Sequence, residues 1–244
     1  MSRCYGESCV GTSGVNGDTF FVSFDKTTIL LADGASGAGK EGKVLMSRHC
    51  AKVVEENPFV QSGLSARKYL DKIIRQINND LIEISQQRDT YIFGTLVICI
   101  IHDDKATIAA VGDSPVYYMN DSETLHVAKS QKTYQNLIDM GIFTAEQADE
   151  HVRKLPNYFW SMFDIFMPMV VPKYSTIEIE LASKDRIVLC SDGVSDHVTP
   201  IEIKEMTDAT DMMGRITEVI ELAKERSLTE KQYYDDLTLV VYAH

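Results

Sequence analysis

Apolar, strand-like runs with an aspartate at one tip recur along this chain, and that recurrence constrains the fold more than any other feature. "ILLAD" ends at Asp33, "AAVGD" at Asp113 and "IVLCSD" at Asp192, with Asp196 close behind; Asp18 opens "DTFFV", and Asp235 precedes the closing run "LTLVVYA". The runs are rich in β-branched and aromatic residues, which suit a pleated, half-buried surface. A lone Asp-Gly pair is ordinarily a turn. Five strands with an Asp at one tip are what a carboxylate-ringed cleft requires. Two carboxylates about 4 Å apart repel by roughly 4 kcal/mol at an effective dielectric near 20, so a ring of them calls for cations. Hard oxygen donors without a His or Cys cluster select Mg²⁺ or Mn²⁺ over zinc.

Hydrophobic periodicity supplies the architecture. "TFFVSF" and "TTILLAD" predict a pair of strands. Met46, Cys50, Val53 and Val54, then Leu70, Ile73, Ile74, Ile77, Leu81 and Ile84, recur at helical spacing and predict two amphipathic helices. "YIFGTLVICIIHDD", "KATIAAVGD" and "PVYYMND" predict an antiparallel meander in the middle of a sheet. Residues about 130–173 mix polar sequence with the proline-interrupted "LPNYFWSMFDIFMPMVVP" and predict an irregular excursion over the sheet edge. "YSTIEIEL" and "RIVLCSD" return to strand, two helices follow from Pro200, and "DLTLVVYAH" closes the chain. A helix pair after the opening strands and another near the end predict an α+β fold, a four-layer α-β-β-α sandwich of two antiparallel sheets, with residues 1–244 as a single domain.

The stretch "ILLADGASGAGKEGK" fits G-x-x-x-x-G-K, most of a phosphate-cradling loop, from Gly34 to Lys40. Glu41 stands where that loop needs Ser or Thr, Asp33 would add negative charge beside a triphosphate, and there is no parallel βαβ repeat; the P-loop reading is set aside. The chain holds 24 basic and 36 acidic residues, a formal net charge of −12. That charge opposes nucleic acid and anionic membrane surfaces as partners. Five scattered cysteines form no C-x-x-C pair, the N-terminus shows no signal-peptide core, and no apolar run is long enough to span a bilayer. The expectation is a soluble protein in a reducing, cytoplasmic compartment.

At these aspartates the sequence resembles the metal-dependent serine/threonine protein phosphatases of type 2C, and the resemblance runs in order along almost the whole chain. The family's first motif, ending in Asn-Glu-Asp or Asn-Gln-Asp, is similar to Asn16-Gly17-Asp18. Its Asp-Gly-x-Gly-Gly motif resembles Asp33-Gly34-Ala35-Ser36-Gly37, its Gly-Thr strand Gly94-Thr95, and its Gly-Asp-Ser-Arg turn Gly112-Asp113-Ser114-Pro115. Ser-Asp-Gly-x-x-Asp is matched from Ser191 to Asp196, and the terminal Asp-Asn-x-Thr from Asp235 to Thr238. The resemblance implies two ions, Mn²⁺ or Mg²⁺, with Asp33 bridging them. Asp192 and Asp235 hold the first, and Asp18 with the Gly34 carbonyl serves the second. Asp113 and Asp196, with Asp192, match a third site. It also implies a phosphorylated protein as substrate, residues 130–173 as a variable flap, and phosphomonoester hydrolysis by water held between the metals, with no nucleophilic side chain. His49 and His197 read as a helix residue and a loop residue.

Three departures from the family pattern matter. Ser13 stands where the family has its phosphate-binding arginine, Gly17 where it has a metal-linked Glu, and Pro115 where it has the second arginine. Lys40 and Arg48, on the helix after the metal-binding turn, are the candidate substitutes. The competing reading is a weak or inactive phosphatase-fold binding module acting in signalling by protein-protein contact, with "NYFWSMFDIFMPM" as its docking surface.

Overall fold

The computed structural model describes residues 2–127, 174–207 and 211–244; the expected excursion at 130–173 lies outside the described residues. The strands are β1 (Arg3–Cys9), β2 (Asp18–Val22), β3 (Thr28–Gly34), β4 (Gly94–His102), β5 (Lys105–Val111), β6 (Val116–Met119), β7 (Thr124–His126), β8 (Ser175–Glu180), β9 (Arg186–Cys190) and β10 (Leu237–Ala243). The helices are α1 (Gly39–Glu56), α2 (Phe59–Ser62), α3 (Ala66–Arg88), α4 (Asp192–Ser195), α5 (Pro200–Thr207) and α6 (Met212–Lys231). One antiparallel sheet has the order β1-β10-β9-β6-β7, and the other has the order β2-β3-β4-β5-β8.

Both sheets are covered on both faces, so their strands read as nearly unbroken apolar runs, and the period-2 alternation sorts side chains between two buried layers. On β3, Leu30 and Ala32 pack outward with Met46, Cys50 and Val53 of α1 and Ile73, Ile74 and Ile77 of α3. Ile29 and Leu31 point the other way, into a layer shared with Ile187, Leu189, Val240 and Tyr242 of the facing sheet. On that sheet, Val188, Cys190, Leu239 and Val241 face outward onto Ile216, Val219, Ile220 and Ala223 of α6. The α-β-β-α order follows.

Two elements differ from the sequence reading. β6 does not continue the β4–β5 meander: it crosses to the facing sheet and pairs with β9 and β7, while β5 pairs with β8. The crossing occurs at Gly112, whose φ of 93° is open to glycine at little cost, and puts Asp113 in the connection from one sheet to the other. β1 is a strand that the sequence pattern does not announce. "RCYGESC" carries Gly6 and Glu7 and lies at a sheet edge, half-buried, antiparallel to β10.

Candidate metal centre

The strand register brings the aspartates to one end of the sandwich. Asp18 opens β2 directly opposite Asp33 near the end of β3, and Asp33 in turn faces Thr95 of β4. Asp33 has the parity of Ile29 and Leu31, and Thr95 that of Val97 and Cys99, so both face the layer between the sheets. Thr238 on β10 has the parity of Val240 and reaches across that layer, its hydroxyl donating to Asp18 Oδ2 at 2.7 Å. Around it, Ser8 Oγ lies 2.8 Å from Thr238 Oγ1, Asn16 Nδ2 donates to Ser8 Oγ at 2.8 Å, and Thr238 N–H donates to Ser191 Oγ at 2.9 Å. Thr95 and Ser114 hydroxyls hydrogen-bond beside Asp113. The two sheets are thus fastened at this end by hydroxyl bonds, with carboxylates packed among them.

The carboxyl groups sense one another. Burial pushes Asp18 up to about 6, opposed by its hydrogen bond from Thr238. Asp33 is raised well above the usual carboxylate range by burial and then by the charges of Asp18, Asp192 and Asp235. Asp192, at the start of α4, is pushed up to about 7 by burial, then by Asp113, Asp235, Asp196 and Asp18. All six aspartates singled out from the sequence therefore share one electrostatic neighbourhood. Asp235 and Asp196 lie at its exposed rim; Asp235 Oδ1 accepts the N–H of Asp236 at 2.9 Å, and Asp196 is 4.0 Å from Lys231 Nζ.

Glycine is required at position 34. A Cβ there would lie 2.1 Å from the carbonyl oxygen of Lys43, because the α1 backbone packs directly on the end of β3. The same packing holds the Gly34 N–H on the Gly17 carbonyl at 3.0 Å.

Asp18 Oδ1 is buried without a hydrogen-bond partner among the described residues. A desolvated, unpartnered carboxylate oxygen within a group of other carboxylates is costly unless a proton or a cation joins it. That oxygen and the all-oxygen donor set fit a hard divalent cation. Among the described residues no three His, Cys, Asp or Glu side chains converge closely enough to hold an ion by themselves, so backbone oxygen and water belong to any coordination here.

The departures at positions 13 and 17 lead to a residue that the sequence reading passed over. Ser13 is an exposed loop residue, and Lys43 Nζ donates to its hydroxyl at 3.2 Å. Lys40 and Arg48, the expected substitutes, lie on exposed positions of α1. Lys43 is 3 % exposed and forms a buried ion pair of 2.7 Å with Asp236. The signal available in the sequence was Asp236 itself, a carboxylate where the family pattern has Asn and hence a charge in need of a partner. Pro115 is buried, and its carbonyl accepts the Cys190 N–H at 3.3 Å, tying the β6 entrance to β9. His49, on α1, pairs with Asp80 at 3.2 Å, and His197 lies just beyond α4 near Glu230.

The structure is a four-layer sandwich with a carboxylate cluster at one shared end of its two sheets, an all-oxygen donor set suited to hard divalent cations. The chain belongs to the protein phosphatase 2C family, whose model matches residues 5–232. It is similar to the serine/threonine phosphatase stp of Listeria monocytogenes, 25 % identical over 195 residues that cover 78 % of this chain and 75 % of the relative. It is also similar to the serine/threonine protein phosphatase PstP of Mycobacterium tuberculosis, 28 % identical over 199 residues that cover 80 % of this chain and 37 % of that longer protein. A solved structure of the PstP catalytic domain in complex with two manganese ions superposes with a TM-score of 0.79 at 22 % identity, covering 99 % of this chain and 97 % of that one.

Proposed function

We propose that this chain is a Mn²⁺- or Mg²⁺-dependent protein serine/threonine phosphatase whose metal centre is the aspartate cluster at the shared end of the two sheets. The observation that carries this reading is the unpartnered Asp18 Oδ1, buried opposite Asp33, which itself lies within the field of Asp192 and Asp235. Asp33, central to the cluster, would help hold both of two ions. Asp192 and Asp235 would help hold the first, Asp18 and the Gly34 carbonyl would serve the second, and Asp113 and Asp196 with Asp192 would serve a third, with water completing each coordination. Divalent cations bound there supply charge neutralisation for the phosphoryl oxygens and lower the pKa of water.

The rest of the chemistry lies with the chain's own groups. The hydroxyls of Thr238 and Ser8 hold Asp18 in one orientation, and the apolar layer behind the cluster keeps bulk water on its open side only. No thiol is activated as a nucleophile: burial holds Cys50, Cys99 and Cys190 far above the usual thiol range, pushes Cys4 up to about 12 and raises Cys9. The named relatives act as serine/threonine phosphatases, which supports a phosphoprotein substrate for this chain. All five cysteines are unpaired, which supports a reducing, cytoplasmic setting, and no helix among the described residues is long and apolar enough to cross a membrane. The test is p-nitrophenyl phosphate turnover with millimolar Mn²⁺ and again with excess EDTA. Turnover that requires the metal is expected, and equal rates in the two conditions would refute the reading.

A further inference from the structure

Three of the chain segments that carry proposed ligands are the loop leading to Asp18, the β3–α1 junction at Gly34, and the approach to β10 at Asp235. One buried ion pair touches all three. Asp236 Oδ1 accepts the Gly11 N–H and Oδ2 accepts the Gly17 N–H, each at 2.7 Å, and Oδ2 also accepts from Lys43 Nζ at 2.7 Å. Both side chains of the pair are about 95 % buried, at 4 % and 5 % exposure. Lys43 meets the other two segments. A Cβ on Gly17 would come within 2.6 Å of Lys43 Cδ, so the lysine stem lies across Gly17, and the Lys43 carbonyl abuts Gly34. The Gly11–Gly17 loop is further stitched to the β10 approach by the Thr12 N–H on the Tyr234 carbonyl at 3.0 Å.

We infer that Lys43 and Asp236 are a positioning pair that sets the divalent-cation affinity of the centre by locking these three segments in register. Asp236 is not itself a ligand in this account: its oxygens are committed to two backbone N–H groups and one ammonium, and it acts through Gly17 on Asp18 and through its own backbone on Asp235. The pair also makes the departures at positions 13, 17 and 236 one compensated arrangement. A carboxylate at 236 needs the ammonium, the lysine stem takes the space that a side chain at 17 would occupy, and the ammonium reaches the hydroxyl at 13. Groups that orient metal ligands from outside the coordination sphere commonly change affinity by 10- to 100-fold when lost.

This inference rests on the metal centre proposed above, and its test keeps the two apart. The dissociation constant for Mn²⁺ is read from the concentration dependence of the melting temperature, first for the unaltered protein and then for the double variant Lys43→Met/Asp236→Leu. That variant replaces a buried ion pair with apolar groups, a change that folds tolerate well, but leaves the Gly11 and Gly17 N–H groups without acceptors. The expected result is a variant that folds and binds Mn²⁺ about 10-fold or more weakly. A purely structural pair would lower the metal-free melting temperature and leave the Mn²⁺ constant within about two-fold, overturning the inference. An unaltered protein whose melting temperature ignores Mn²⁺ would overturn the metal reading and the inference together. Should the double variant not fold, amide exchange in the unaltered protein decides: Mn²⁺ should slow exchange at Gly11 and Gly17, and unchanged rates there contradict the coupling.

Discussion

Asp192 illustrates what the metal centre costs the metal-free fold. Its carboxyl is raised to about 7 by burial and by four neighbouring aspartates, so removing it relieves repulsion while deleting a proposed ligand. Asp192→Ala is expected to abolish Mn²⁺-dependent phosphate release and to leave the metal-free melting temperature unchanged or higher, as activity assay and thermal denaturation together will show. Ser13 makes the opposite case, an exposed position with room for a longer side chain. An Arg–phosphate pair with charge-assisted hydrogen bonds contributes about 1.5 to 3 kcal/mol, so Ser13→Arg should raise kcat/KM for p-nitrophenyl phosphate by about 10-fold, mostly through KM. The neighbouring Lys43 ammonium, already paired with Asp236, limits the gain. At this scale the sequence was generous with the aspartates, because each sits in a short motif next to a strand. It was silent on Lys43, whose partner is 193 residues away and whose burial no local pattern reveals.

Among the elements, the junction of β3 with α1 is the most tightly specified. Gly34→Ala would drive a methyl into the Lys43 carbonyl 2.1 Å away, so α1 must shift or β3 must end early. We expect a loss of about 1 to 3 kcal/mol in urea denaturation, together with weaker Mn²⁺ binding because the Gly34 carbonyl moves with the strand. β3, β4, α1 and α3 could be read from sequence because both of their buried layers leave a strong period. β1 could not, since an edge strand takes its stability from pairing with β10, and Gly6 fits there against the Phe20 ring, which a Cβ would approach to 2.7 Å. The meander reading failed at β6 for a related reason: a run of apolar residues states that a strand is buried, and only tertiary contact decides in which sheet.

Over the whole molecule, the cluster couples stability to pH and metal. Asp18 at about 6 and Asp192 at about 7 have folded-state pKa values raised above the unfolded carboxylate value. Between that value, near 4, and about pH 7 the metal-free folded state binds more protons than the unfolded state, so its stability falls as pH rises through this window. Mn²⁺ should reverse the penalty by favouring the ionised carboxylates. The melting temperature without metal should therefore drop between pH 5 and pH 7.5, and the Mn²⁺-induced increase should be larger at pH 7.5 than at pH 5, as a differential scanning series will show.

In the proposed function, this aspartate cluster, held between two sheets, hydrolyses phosphoproteins by means of bound divalent cations. The most direct measurement is inorganic phosphate release from a phosphothreonine peptide at saturating Mn²⁺, for the unaltered chain and for Asp33→Asn, with Mn²⁺ binding to both followed by the melting temperature. Multiple turnovers by the unaltered protein, none after EDTA, and loss of both turnover and most of the Mn²⁺ stabilisation in Asp33→Asn are expected. A folded, Mn²⁺-stabilised chain that releases no phosphate, or an Asp33→Asn variant that turns over at the unaltered rate, would contradict the proposed function.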